Sequence, residues 1–301
     1  MALPAAGGIL LALPVVLEAR SQKIGPMVWP FMGLAVGRSL SAVIALIRSV
    51  PMENPQVLLY VLTGWTGVAA ALYAERRPDQ VRPALRWMAV PLAVVAAVQA
   101  LPYMQNTFIN RSLLGMAFVP VLAAYLGSRW VIVPALGLAL TVSRGAILSS
   151  LAMAGWFYAL LPLAIPATLA AFPVLMALRN SRSINIHLMY NLAGWYGFLE
   201  APLLGLGPDR LGYFTPTGHA HNVILDVASW SGLMGLGLLG WGLWRARSAW
   251  AALPRWAQAG IIGLGLAGLV DDWTLHPIIM AMAGAIAAGE VKYRPKAGLH
   301  D

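Results

Sequence analysis

Long uninterrupted apolar runs fill this chain and leave few ways to fold it. Windows of about 15 to 23 residues with almost no charge lie near 3–17, 27–47, 56–74, 84–101, 112–126, 130–143, 145–161, 162–178, 222–244, 257–271 and 275–289, close to the ~20 residues that carry a helix across a bilayer. Continuous runs of this length suit helices and lack the alternation of a transmembrane barrel. The composition agrees: 59% of residues are apolar and 10% charged, whereas a soluble domain carries roughly 25% charged residues. The expected fold is all-α, a polytopic transmembrane helical protein with about 11 spans. No fixed-period repeat or linker divides residues 1–301, which read as a single integral membrane domain.

The formal charge of +9 would suggest nucleic acid in a soluble protein, but here the basic residues must first be sorted by side of the membrane. If alternate connections are cytoplasmic, that side holds Arg20, Lys23, Arg76, Arg77, Arg82, Arg86, Arg129, Arg245, Arg247, Arg255, Lys292, Arg294 and Lys296, thirteen of the twenty. The opposite side receives Arg48, Arg111, Arg144, Arg179, Arg182 and Arg210, and Arg38 falls inside a span. The positive-inside rule then sets the C-terminus in the cytoplasm and, with eleven spans, the N-terminus outside. Membrane lipids are the expected surroundings, and no nucleic-acid partner is expected. The start from Met1 to Leu17 has no basic residue before it and suits a retained first span better than a signal peptide. With no cysteine, neither a disulfide framework nor a thiolate site is available.

One connection is long. Residues 179–221 contain three prolines, several glycines and most of the outward polar groups. Within them NIHLMYNLAGWYGFLE has apolar and aromatic residues at helical spacing, and PLLGLGP is rich in turn formers. A short helix along the outer surface, followed by a turn, is expected.

That loop ends in GHAHN, which places His219, His221 and Asn222 at the mouth of the next span. Three readings stand. The imidazoles cap the helix and meet the headgroups; or His219 and His221, with Asp226 or His187, hold a metal such as zinc; or His221 is a base working near neutral pH, with Asn222 fixing its tautomer or touching substrate. The same side offers Arg111 in NTFINRSLLG, Arg144 in TVSRGAILSS, and Arg179, Arg182 and Arg210 around the loop. Guanidiniums beside a histidine suit an anion, above all a phosphate gripped in a planar fork. Arg38 in GLAVGRSLSAV draws attention by its depth, since an ionisable group inside a span is costly; Glu53 or a backbone carbonyl is its expected partner. Asp271 and Asp272, ahead of Trp273 and His276, are candidates to orient the base or bind sugar, or are a plain helix terminus.

Taken in order, S-R-G-A closing one span, P-L-L-G-L-G-P in a large outward loop, then H-A-H-N with Asp226 and a G-L-M-G-L helix resemble the O-antigen ligase and polymerase family of bacterial envelope enzymes. NTFINRSLLG is similar to that family's asparagine-containing segment, and the matches cover roughly residues 105–245. The resemblance implies glycosyl transfer on the periplasmic face of the bacterial inner membrane. The donor would be an undecaprenyl diphosphate-linked glycan and the acceptor a hydroxyl of a lipid, glycan or protein, with no cofactor, metal or nucleotide sugar. The family's histidine carries over onto His221, with His219 second, and its arginine onto Arg144. Where another arginine is expected before Tyr190 this chain has His187, so Arg182, Arg210 and Arg111 are the remaining candidates for the diphosphate. Ligase, repeat-unit polymerase and protein O-oligosaccharyltransferase share this donor. The rivals from other classes are a transporter or flippase, which needs polar positions near the bilayer midplane, and a hydrolase using Ser143 with His221, for which G-x-S-x-G is missing.

Overall fold

A computed structural model describes residues 24–47, 56–101, 110–160, 181–207, 219–272, 274 and 276–289, and every regular element among them is a helix. A 3₁₀ turn at Pro26–Val28 opens α1 (Trp29–Ile47); α2 (Gln56–Arg76), α3 (Pro78–Trp87), α4 (Ala89–Ala100), α5 (Arg111–Tyr125), α6 (Ile132–Thr141) and α7 (Arg144–Phe157) follow. The second half holds α8 (Ser181–Glu200), α9 (Val223–Ala246), α10 (Arg255–Gly268) and α11 (Pro277–Ala288).

Among the described residues, three helical stretches are long and apolar enough to cross a membrane: Pro26–Ala45, Pro78–Ala100 and Val223–Ala252. The runs behind α5, α6 and α11 form apolar helices of 10 to 17 residues, because left-handed or extended residues cut them short; Val142 (φ 53°) stops α6 and Leu126 turns extended after α5. The expected spans at 3–17 and 162–178 lie outside the described residues. In the long connection the helix is not short: α8 runs for 20 residues and packs along α9, so half of the stretch expected as loop is helical.

The centre is α5, whose residues from Leu114 to Ala124 are all buried, as befits a helix with no polar face. It is enclosed by α6, α7 and α10. Its last carbonyls accept from arginine: Arg82 Nε and Arg86 Nε reach Ala124 O at 3.0 and 2.9 Å, and Arg82 Nη2 reaches Leu126 O at 3.0 Å. Cations at a helix C-terminus also complement its dipole. A second layer pairs α1 with α9 and α2 with α11. Small residues allow these backbones to touch: a Cβ on Gly33 would lie 2.2 Å from Leu238 O, and one on Gly284 would lie 2.2 Å from Gly67 O.

The helix α9 is broken at Gly232 (φ 61°, ψ −159°). A break strips backbone groups of their partners, and in an apolar setting each orphan costs several kcal/mol. Residues 202–207 supply partners to four of them. Leu233 N and Met234 N donate to Pro202 O (2.7 Å) and Leu203 O (3.1 Å), while Ser229 O and Trp230 O accept from Leu206 N (2.8 Å) and Gly207 N (3.1 Å). Ser41 Oγ of α1 adds a second donor to Trp230 O at 2.5 Å. The PLLGLG segment is thus stitched into the gap in α9. Gly232 occupies backbone space reserved for glycine, and a Cβ there would lie 2.5 Å from the Leu203 carbonyl carbon. Gly232→Ala is therefore expected to lower stability by about 1–3 kcal/mol, read as a fall in the thermal unfolding midpoint of detergent-solubilised protein; an unchanged midpoint would contradict the stitched break.

Candidate functional site

The turn before α9 is shaped by its own helix. Asn222 caps it, its Oδ1 accepting from Ile224 N (3.0 Å) and Leu225 N (3.2 Å) as an N-cap side chain does. The Asn222 Nδ2 donates to Leu269 O at 3.0 Å, which ties the turn to the end of α10. Buried Asp226 reaches back one turn, and its Oδ1 accepts from Ala220 N at 2.6 Å. Between these two anchors His221 adopts a left-handed backbone (φ 54°), unusual for a residue with a Cβ and a place where strain concentrates at working sites.

Four side chains surround the His221 ring. Its Nδ1 lies 2.9 Å from Asp271 Oδ1. Tyr190 stacks on it at 4.9 Å between centroids and 7° between planes, His187 meets it edge-on at 4.9 Å, and His219 is tilted at 4.1 Å. His187 and Tyr190 lie three residues apart on α8, so one face of that helix forms the platform. With Nδ1–H given to Asp271, Nε2 keeps its lone pair, the arrangement by which a carboxylate orients a histidine base. Asp271 Oδ1 also accepts from Asp272 N at 2.9 Å.

The electrostatics follow from burial and crowding. Burial, and then the adjacent His221, push His219 down from 6.5 to about 4; it is neutral at pH 7, and its Nδ1 faces the His221 N–H at 3.4 Å.

Of the residues singled out in the sequence, the structure gathers His221, His219, His187, Asn222, Asp226, Asp271 and Asp272 in one place. The carboxylate beside the two histidines is Asp271; Asp226 is turned inward to Ala220 and to Asp272. One ligand atom each from His219, His221 and Asp271 lie within 4.8 Å of one another, a grouping able to hold a metal ion. Arg111 and Arg144 begin α5 and α7, and both are half-buried. These helix starts lie at the same end as the site: a Cβ on Gly145 would meet Val270 Cγ2 at 2.7 Å, next to Asp271, and one on Gly115 would meet Ser143 Cβ at 2.3 Å. Arg182 falls in the first turn of α8; its side chain and the whole of Arg210 and Arg179 lie outside the described residues. Sequence reasoning passed over Tyr190, although its spacing from His187 on a helical face was visible. Glu53 lies outside the described residues, and the other expected partner of Arg38, a carbonyl, is found at Thr274.

Beside this cluster an apolar cavity of about 570 Å³ runs between α1, α9, α10 and α11. Val223, Leu269 and Thr274 line it near the site, and Leu243, Arg247 and Trp250 line it at the far end of α9. No family model matches the chain, and neither curated proteins nor solved structures give a match.

The lowered His219 sets an acid limit. A group whose folded value lies below its unfolded one contributes stability that is present above the unfolded value and lost as pH falls through the folded one. For His219 that window runs from 6.5 down to about 4, and the loss across the whole of it is on the order of 3 kcal/mol. The thermal midpoint in nanodiscs is expected to drop between pH 7.5 and 5, and His219→Gln should flatten that drop; a slope unchanged in the variant would assign it elsewhere.

Proposed function

We propose that this chain is a glycosyltransferase of the O-antigen ligase type, acting at the periplasmic face of the bacterial inner membrane on an undecaprenyl diphosphate-linked glycan. The observation that carries the reading is the His221–Asp271 pair, held by Tyr190 and His187 at the mouth of an apolar helical assembly. In this reading the helices form about 11 spans, with residues 179–221 in the periplasm and the C-terminus in the cytoplasm.

The proposed chemistry runs on His221, Asp271 and the arginines. His221 Nε2 takes the proton of the acceptor hydroxyl as its oxygen attacks the anomeric carbon. The bond from that carbon to the diphosphate breaks, the diphosphate leaves with the electron pair, and the configuration inverts. Arg144 and Arg111, with Arg182 or Arg210, neutralise the charge on the leaving group, and Asp271 stabilises the imidazolium. The apolar cavity beside Thr274 and Leu269 supports a donor with a long hydrocarbon tail. Ligase, polymerase and protein O-oligosaccharyltransferase differ in the acceptor and share every step above.

Division of labour between base and clamp gives the test. His221→Ala should lower turnover and leave donor binding nearly intact. Arg144→Ala should weaken donor affinity too, by on the order of tenfold to a hundredfold for a charge-assisted contact of ~1.5–3 kcal/mol, with Arg144→Lys recovering part because an ammonium lacks the planar fork. Donor binding in nanodiscs and transfer rates are measured side by side; full turnover in His221→Ala would sink the catalytic reading.

A second reading rests on the same cluster, with His219, His221 and Asp271 as three protein ligands of a catalytic zinc. Chelation separates the two. Under the base reading, transfer survives EDTA; activity lost in EDTA and restored by zinc would make these side chains ligands.

A further inference from the structure

One deeply buried charge faces away from solvent and toward the loop that carries Asp271. Arg38, in the middle of α1, is 1% exposed. Its guanidinium joins three elements. Nη1 donates to Thr63 Oγ1 at 3.0 Å and Tyr60 O at 3.5 Å on α2, and to Thr274 O at 2.8 Å. Nη2 donates to the Thr274 hydroxyl, and the guanidinium carbon sits 4.5 Å above the Tyr60 ring.

Thr274 passes the interaction on. Its hydroxyl, having accepted from Arg38, donates to Asp272 Oδ1, which also accepts from Thr274 N at 2.9 Å. Asp272 N donates to Asp271 Oδ1 at 2.9 Å, and that same oxygen meets His221 Nδ1 at 2.9 Å. An unbroken chain of hydrogen bonds therefore runs from Arg38 through Thr274, Asp272 and Asp271 to His221. Burying a guanidinium at this depth costs far more than a snorkelling surface arginine, and an apolar residue would fill the space between α1 and α2 more cheaply. What arginine supplies is direction: two nitrogens hold both the carbonyl and the hydroxyl of Thr274, so Thr274 is fixed in one orientation.

We propose that Arg38 is a positioning residue for the His221–Asp271 pair, acting from α1 through Thr274 and Asp272. The role in turnover rests on the function proposed above; the role in fixing the pair does not. Arg38 touches neither His221 nor Asp271, so its removal leaves both groups present but misaligned, and a misplacement on the ångström scale lowers rate by up to about a hundredfold.

The experiment follows His221 directly. In nanodiscs with ¹⁵N-labelled histidine, the His221 signal is identified by its loss in His221→Ala, and Asp271→Asn marks the resonance of Nδ1 without its carboxylate. Arg38→Met and Thr274→Val should move the wild-type Nδ1 resonance toward the Asp271→Asn position, with Arg38→Lys in between. Thr274→Val keeps the buried arginine and the shape of residue 274, so it reports even if Arg38→Met fails to fold. In the transfer assay both variants should lose kcat by on the order of tenfold to a hundredfold, with KM for the donor nearly unchanged. A wild-type His221 resonance in both variants overturns the proposal, as does a loss confined to KM. A shifted resonance in a protein whose wild-type form transfers no glycan refutes the function and leaves the positioning intact.

Discussion

Backbone amides and carbonyls must be hydrogen-bonded wherever water is excluded, and the architecture answers that demand at its most exposed point, the break in α9. Gly232 frees two donors and two acceptors, and residues 202–207 supply the four matching groups. The exchange fastens residues 202–207 to α9 on both sides of the break, while Asn222 and Asp226 hold the end of the connection at the first turn. The face of α8 that carries His187 and Tyr190 is held against α9 between these attachments.

The same demand organises the polar core. Arg38, Thr63, Thr274, Asp272 and Asp271 are buried among apolar helices; Arg38 donates to both Thr63 and Thr274, Thr274 donates to Asp272, and the Asp272 N–H donates to Asp271. Hydrogen-bonded networks of this kind rigidify a structure, and this one does so with Arg38 Nε and Asp272 Oδ2 left without a partner. It ends on His221, which has a strained backbone and whose Nδ1 lies 2.9 Å from Asp271 Oδ1. Neutral His219 beside it adds no competing positive charge.

Much of this was legible in the residues. The apolar runs announced helices, and GHAHN, DD and SRG announced a polar cluster at one end. The separation into functional and structural roles was not legible. Asp226 and Asp271 look alike as carboxylates near a helix end, yet one serves Ala220 N and the other His221 Nδ1, a difference set by which helix ends meet. Tyr190 reads as one aromatic among several on α8 until α9 is placed against it. The runs behind α5, α6 and α11 read as full spans and fold as shorter helices, since hydropathy does not register where a backbone turns left-handed or extended.

Sequence alone determined the helical class and the residue types available for chemistry, because apolar periodicity and side-chain identity are local properties. Tertiary structure alone decided that the PLLGLG turn fills a gap in α9, that Asp271 rather than Asp226 orients His221, and that Arg38 acts on a loop more than two hundred residues away. Hydrogen-bond partners in an apolar interior are chosen by proximity in space, and the packing of α1, α9, α10 and α11 sets that proximity.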